Sequence, residues 1–401
     1  MAAAKITDVQ TFLTQPERAG LLVVKVLTDQ DGLYGLGCAT FTWRILSVQT
    51  CIEAYLKPFL IGKSPADIED IWQTSMVHGY WRNGPVLNNA VSGIDMALWD
   101  IKGKMAGMPC YELWGGKSRT AVPVYIHANG RDKESLAEEV HKYKEQGFRY
   151  IRTQIGDYPG IGGYRVGQPV GTAPGQYFEL REKLRLIPEL FDYLRKTFGD
   201  EIELIYDVHE RMAPVDAVYL AKTLEEYRLF FLEDIFAPED NEWFRHARAQ
   251  CATPLAMGEL FTNPAEVLPL VTGRLIDFLR LHVSDYGGVT PALKASYLCD
   301  HFGIRTAWHG PNDISPVGMA ANVHLDMHLH NFGIQEWFFR SELEREMFPG
   351  TPEIRNGHAY VTEKPGWGID LDEALAAKHP LREGPIEWTV SRLPDGSSWR
   401  P

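Results

Sequence analysis

Ile202-Glu203-Leu204-Ile205-Tyr206-Asp207, Leu229-Phe230-Phe231-Leu232-Glu233 and Pro254-Leu255-Ala256-Met257-Gly258-Glu259 are three apolar runs, each closed by an acid. Short apolar runs separated by helical patterns read as strands of a parallel sheet. The intervals 207 to 233 and 233 to 259 are both 26 residues, the length of one strand–helix unit. In a closed barrel of parallel strands, neighbouring strand ends project side chains toward a common point. Three carboxylates that close do not all stay ionised without a cation. All-oxygen ligation with open positions suits Mg²⁺, which makes Asp207, Glu233 and Glu259 candidate metal ligands.

The alternation extends both ways from this stretch. Strand candidates fall at Val122–His127, Tyr150–Ile155, Ile202–Asp207, Leu229–Glu233, Pro254–Glu259, Phe278–Val283, Ile304–His309 and Ile334–Trp337. Helical patterns lie between them, such as Leu136–Gln146, Leu180–Phe198, Ala217–Tyr227 and Pro291–His301. Eight such units predict an α/β fold of the (β/α)8 TIM-barrel type. The competing doubly wound sheet often has a glycine-rich first βα turn, and no G-x-G-x-x-G follows a strand start here. Upstream, Ile6–Phe12, Leu21–Leu27 and Leu33–Gly37 read as strands, and segments near 45–60, 65–78 and 85–106 as helices. One connection breaks the rhythm: Gly156 to Gln176 carries seven glycines and three prolines with no helical period. A long loop after strand two sits where active-site lids sit.

Composition narrows the function classes. The 401 residues are 45% apolar and 23% charged, ordinary globular values. Forty basic against 53 acidic residues give a formal charge of −13. That field disfavours nucleic acid and anionic membrane surfaces as partners. A bound divalent cation would still reverse the sign locally for an anionic small molecule. Cys38, Cys51, Cys110, Cys251 and Cys299 contain no C-x-x-C pair, which favours reduced thiols and a cytoplasmic setting. Met1 to Leu13 lacks a signal-peptide apolar stretch, and no apolar run predicts a membrane span.

A barrel with Asp, Glu and Glu closing strands three, four and five, behind an α+β domain, resembles the enolase superfamily over nearly the whole chain. Met96-Ala97-Leu98-Trp99-Asp100-Ile101-Lys102-Gly103-Lys104 is similar to that superfamily's capping-domain helix. Further segments resemble the D-mannonate dehydratase family of sugar-acid dehydratases. They are Ile68-Glu69-Asp70-Ile71-Trp72-Gln73, Tyr80-Trp81-Arg82-Asn83-Gly84-Pro85, His309-Gly310-Pro311-Asn312-Asp313-Ile314-Ser315-Pro316 and Asn331-Phe332-Gly333-Ile334-Gln335-Glu336. The resulting expectation is an α+β capping domain over 1–120, a barrel catalytic domain over 121–365 and a C-terminal segment, 366–401, returning to the capping domain. The implied chemistry is Mg²⁺-assisted removal of the proton α to a carboxylate, with a base facing that proton and an acid facing the leaving 3-hydroxyl.

Many superfamily branches carry Lys-x-Lys at the end of strand two, where this chain has Ile151-Arg152-Thr153-Gln154. Guanidinium is too basic to act alone as a base at neutral pH. The family pairs an Arg here with a Tyr of the following loop, which implies Tyr164 as general base poised by Arg152. Tyr158, followed by Pro159, is the less favoured alternative. His209 lies two past Asp207, a spacing that shares one face in a strand, and it matches the family's Asp-x-His general acid. Glu210 would face away. Arg280, His309 and Glu336 match substrate-lining positions at the ends of strands six, seven and eight. Arg280 would pair with the substrate carboxylate or a ligating acid, His309 with a carboxylate or hydroxyl, and Glu336 with sugar hydroxyls. Asp313 is a further candidate. Taken singly, each is also an ordinary polar strand end. His324, His328 and His330 read as helix surface or subunit contact.

The family's early loop, Ala-Thr-Leu-Asn-Gly-Arg-Glu, stands here as Ala39-Thr40-Phe41-Thr42-Trp43-Arg44-Ile45. That loop closes over substrate in the superfamily, so Trp43 joins the candidate substrate-binding residues and alters the expected specificity. The C-terminus ends Ser398-Trp399-Arg400-Pro401 where a final Trp is common. The expected function is Mg²⁺-dependent dehydration of an aldonate such as D-mannonate or D-gluconate. The alternatives are an epimerase or dehydratase of a different acid sugar, and a non-catalytic or weakly catalytic sugar-acid-binding regulator. The expected partner is a small sugar acid, with no nucleic acid and no membrane, and the resemblance implies a homo-oligomer.

Overall fold

The computed structural model describes residues 4–155, 171, 176–382 and 391–400. They fall into two compact units that do not follow the order of the chain. One holds Val124–Gly258, Pro269–Leu279 and the described part of Pro385–Pro401; the other holds Glu259–Leu268 and the described parts of Met1–Pro123 and Arg280–Gly384. The α/β class and the eightfold alternation are present. Strands Val122–Gly130, Tyr150–Ile155, Glu203–Asp207, Phe231–Glu233, Leu255–Met257, Phe278–Leu279, Arg305–Thr306 and Gln335–Glu336 occur in chain order, with a helix between each pair.

In the first unit, strands one to six pair in parallel and in sequence. The register sets His127 beside Arg152 and Asp207 beside Glu233. Parallel strands covered by helices carry near-continuous apolar runs, as Leu204, Ile205, Phe231, Leu232 and Leu255 do here, all buried. The ladders of the later strands are shorter than the apolar runs that encode them. Strand five stops at Met257 because Gly258 takes φ 143, a conformation other residues rarely adopt. Glu259 therefore follows a bend rather than ending a strand. Arg280 and His309 likewise lie past the paired residues of strands six and seven.

In the second unit, antiparallel strands Ile6–Thr14, Leu21–Thr28 and Tyr34–Cys38 pack on the helix Pro85–Ala106. Gly35 and Gly37 permit that approach: a Cβ at either would collide with the carbonyl of Ala97 or Gly93. Buried Asp100 on the same helix accepts from the amides of Leu36 and Trp367, at 2.9 and 2.8 Å, and from the Lys104 ammonium at 2.7 Å. The C-terminal segment divides. Residues around Gly366 and Pro380 bridge to Pro109 and Thr14 in this unit, whereas Ser391–Arg392 and Ser398–Trp399 form a small sheet with Gln176–Tyr177 in the other.

His324 corrects the surface reading of the histidine-rich stretch. The helix Pro316–His328 is buried along most of its length, and His324 packs between Tyr111 and Trp367 with its Nε2 against the Trp367 carbonyl at 3.2 Å. Burial pushes that imidazole down to about 4. His328 is half-buried against Tyr297, and only His330 of the three is exposed. The cysteines are free thiols, four of them buried and Cys51 half-buried. Among the described residues, no helix is long and apolar enough to cross a membrane.

Candidate active site

Strands one to four of the first unit bring together a buried ionic cluster. Arg152 is 3% exposed on strand two. Its Nη1 donates to Asp207 at 3.0 Å and to Glu233 at 3.2 Å, and its Nη2 meets His127 Nδ1 at 2.9 Å. The Tyr125 hydroxyl donates to the second Glu233 oxygen at 3.3 Å. Asp207, Glu233 and Asp234 each offer an oxygen, and these atoms lie within 4.8 Å of one another. Two like charges about 4 Å apart repel by ~4 kcal/mol at an effective dielectric of 20. Three buried carboxylate oxygens this close together fit a hard divalent cation by charge and by donor type.

Asp234 was not expected from the sequence, because neighbours in a strand point to opposite faces. The strand ends at Glu233, and Asp234 takes φ 41, which cancels the alternation. Its carboxylate accepts from the Gly258 amide at 3.2 Å and so braces the bend before Glu259.

His209 does not owe its position to strand alternation either. Strand three ends at Asp207, and His209 and Glu210 are consecutive left-handed residues, φ 53 and 52. Such conformations in non-glycine residues cost about 1–3 kcal/mol each and persist where surrounding contacts enforce them. Here the Asp207 carboxylate accepts the His209 amide at 2.7 Å, and the Asp234 carbonyl accepts the Glu210 amide at 2.7 Å. The turn thus links the histidine directly to a candidate metal ligand. Tyr164 lies outside the described residues.

The second unit holds its own cluster around Arg280, a fully buried guanidinium. It is ion-paired to Glu259 through Nη1 and to Glu336 through Nη2, and Nη2 also meets His309 Nδ1 at 3.2 Å. His309 Nδ1 lies 3.0 Å from Glu259, and its Nε2 lies 3.5 Å from Asp313. Burial alone would keep this imidazole neutral, but Glu259, Asp313 and Glu336 around it hold it protonated well above the usual histidine range. Glu336 also accepts the Gly310 amide at 2.9 Å, and Asn322 donates to the His309 carbonyl at 3.2 Å. The sequence reading missed His282, whose ring lies 5.0 Å from that of His309 and whose Nδ1 accepts the Asp285 amide at 3.1 Å. Its signal was the Arg280-Leu281-His282 spacing. His127 was missed in the same way, although its register with Arg152 follows from strands one and two. Trp43 stands on the short turn Thr42–Arg44 and is 46% exposed.

Comparison with known proteins gives this geometry a lineage. Residues 2–115 match the mandelate racemase/muconate lactonizing enzyme N-terminal domain, and residues 135–375 match the enolase C-terminal domain-like family. A D-galactonate dehydratase family member of Pantoea ananatis is 52% identical, with 99% of each chain covered. Another from Salmonella virchow is 51% identical over the whole of both chains. The crystal structure of an enolase from Pantoea ananatis with bound D-gluconate and Mg superposes with a TM-score of 0.97 at 52% identity, covering 99% of this chain and 100% of that one. The sequence resemblance therefore holds for the superfamily, while the relatives carry the galactonate name rather than the mannonate one. The chain belongs to the enolase superfamily and, within it, to the D-galactonate dehydratase family.

Proposed function

We propose that the protein is a Mg²⁺-dependent acid-sugar dehydratase that converts an aldonate to a 2-keto-3-deoxy sugar acid. The observation that carries this reading is the buried Arg152–Asp207–Glu233–Asp234 cluster, in which three carboxylates offer oxygens close enough together to hold one cation. Asp207 and Glu233 would hold the ion, and the 26-residue spacing in sequence supports Glu259 as the third ligand. Bound Mg²⁺ supplies Lewis-acid stabilisation of the substrate carboxylate as charge develops on it.

The remaining roles belong to side chains of this chain. Tyr164 takes the C2 proton, with the Arg152 guanidinium favouring the phenolate. His209 gives a proton to the departing 3-hydroxyl. Arg280 and protonated His309 offer donors to an anionic substrate, while Glu336 and Asp313 accept from its hydroxyls. Trp43 shapes which sugar fits. D-Gluconate heads the candidate substrates because the similar Pantoea structure binds it. D-Mannonate and D-galactonate follow.

A panel of aldonates assayed with Mg²⁺ tests the reading. Formation of a 2-keto-3-deoxy acid, with solvent deuterium entering C2, is expected for at least one. No turnover and no exchange across the panel would sink it. Thermal stabilisation by an aldonate without turnover would instead favour the sugar-acid-binding regulator. Retention of the 3-hydroxyl in the product would identify an epimerase.

A further inference from the structure

The C-terminal residues Trp399 and Arg400 reach the turn that carries His209. We propose that they are positioning residues for it, clamping the carbonyl side of the turn while strand four holds the amide side. The amide side is fixed by Val208 N–H to the Glu233 carbonyl at 3.0 Å and by Glu210 N–H to the Asp234 carbonyl at 2.7 Å. On the other side, the Trp399 indole N–H donates to the Arg211 carbonyl at 2.6 Å, and Arg400 Nη1 donates to the Glu210 carbonyl at 3.2 Å. Arg400 is itself anchored, its Nη2 pairing with Asp240 at 2.9 Å.

The tail that delivers these groups has its own built structure. Ser391–Arg392 pairs antiparallel with Ser398–Trp399, closed by Leu393 N–H to the Ser397 carbonyl at 3.0 Å. The same strand pairs in parallel with Gln176–Tyr177, and the Phe178 amide donates to the Arg392 carbonyl at 2.7 Å. A segment at the far end of the sequence therefore terminates on two successive carbonyls of a left-handed turn. The turn is closed by its own bond, the Arg211 amide donating to the Val208 carbonyl at 3.3 Å, and the tail adds donors to the Glu210 and Arg211 carbonyls beyond it. Trp399 and the Arg400–Asp240 pair are partly exposed, so removing a donor leaves the apolar core intact. The consequence falls on the aim of the turn, where a small misplacement of an acid is costly in rate.

This inference rests on the dehydratase reading for the role of His209, but the clamp itself is tested without turnover. Trp399→Phe keeps an aromatic ring and removes the N–H donor; Arg400→Ala removes the second donor; Trp399→His restores a ring N–H. In hydrogen–deuterium exchange of the full-length protein, the peptide covering Val208–Met212 is expected to exchange about tenfold faster in Trp399→Phe and in Arg400→Ala than in wild type. With an active aldonate and Mg²⁺, kcat is expected to fall about tenfold in Trp399→Phe with KM within about twofold, and to recover in part in Trp399→His. Unchanged exchange in both single variants overturns the clamp. Faster exchange with unchanged kcat, or a matching fall in kcat and rise in KM with loss of thermal stability, overturns the positioning role. Failure of wild type to turn over any aldonate defeats the dehydratase reading, and with it the positioning role, while exchange still decides the clamp.

Discussion

Both compact units place an arginine between two carboxylates and touch it with a histidine, yet the two clusters are built for different ends. Arg152 meets Asp207, Glu233 and His127; Arg280 meets Glu259, Glu336 and His309. In the first, Asp234 adds a third carboxylate. In the second, the surrounding acids hold His309 protonated, so two cations face Glu259, Glu336 and Asp313. The first cluster groups three carboxylate oxygens within 4.8 Å of one another and suits a divalent ion. The second is close to balanced and presents donors suited to an anionic ligand. Each set holds three acids, so the contrast lies in the bases: one guanidinium in the first, a guanidinium and a protonated imidazole in the second.

Removing one of the first cluster's carboxylates is the most direct way to break this contrast. Asp207→Ala or Glu233→Gln should abolish Mg²⁺ binding in titration calorimetry and lower kcat/KM by about 10³-fold or more. Full metal binding in either variant would refute the assignment of the first cluster. The arginines should then behave differently. Arg280→Met removes the guanidinium that pairs with buried Glu336 and partly buried Glu259, and breaking a buried pair in this way costs about 3–5 kcal/mol. Thermal unfolding should show most of that loss even with Mg²⁺, because Glu259 alone of the two acids is a proposed metal ligand and Glu336 loses its guanidinium outright. Arg152→Met removes the same charge from a site that a cation can fill, so its loss of stability should be substantially restored by Mg²⁺. Equal Mg²⁺ rescue of both variants would erase the distinction.

Much of this contrast was legible before any coordinates. The acids at 207, 233 and 259 stand out because strand ends recur at one-unit intervals, and periodicity carries that information locally. Arg280, His309 and Glu336 were legible only through resemblance, since a polar residue at one strand end has no periodic partner. Asp234 and the geometry of His209 were not legible. Both depend on left-handed backbone just past a strand, and strand alternation gives the wrong face there. His324 was misread because a histidine in a helix looks amphipathic, whereas this helix is buried along most of its length. The Arg400 contact with Glu210 joins positions far apart in the chain, which no local pattern encodes.

The N-terminal α+β region offers a titration that must be separated from those of the two clusters. Asp95 is buried on the long helix, and burial pushes its carboxyl up to about 7 despite hydrogen bonds from Thr290. Its folded pKa lies above the unfolded value, so the protonated form is favoured by folding. The stability it contributes is complete below about pH 4, declines as pH rises, and is gone above about pH 7. The slope between those limits is about 1.4 kcal/mol per pH unit. Asp95→Asn should flatten the melting temperature between pH 5 and 7. A slope unchanged by this substitution would assign the dependence to other groups and blur any pH comparison of the clusters.

The smallest effect is expected at Trp43, which belongs to neither cluster. The side chain is about half-exposed, and the turn Thr42–Arg44 buries none of its residues, so Trp43→Ala should change stability by less than about 1 kcal/mol. If the indole shapes the substrate pocket, the ratio of kcat/KM for D-gluconate to that for D-mannonate should shift by about tenfold, while Mg²⁺ affinity stays unchanged. The physical reason is separation of tasks: a ring outside both ionic clusters can select among sugars by shape but has no charge with which to hold the ion. An unchanged ratio would move the choice of sugar to the donors and acceptors of the Arg280 cluster. A changed Mg²⁺ affinity would show that Trp43 acts on the first cluster and that the two tasks are not separate.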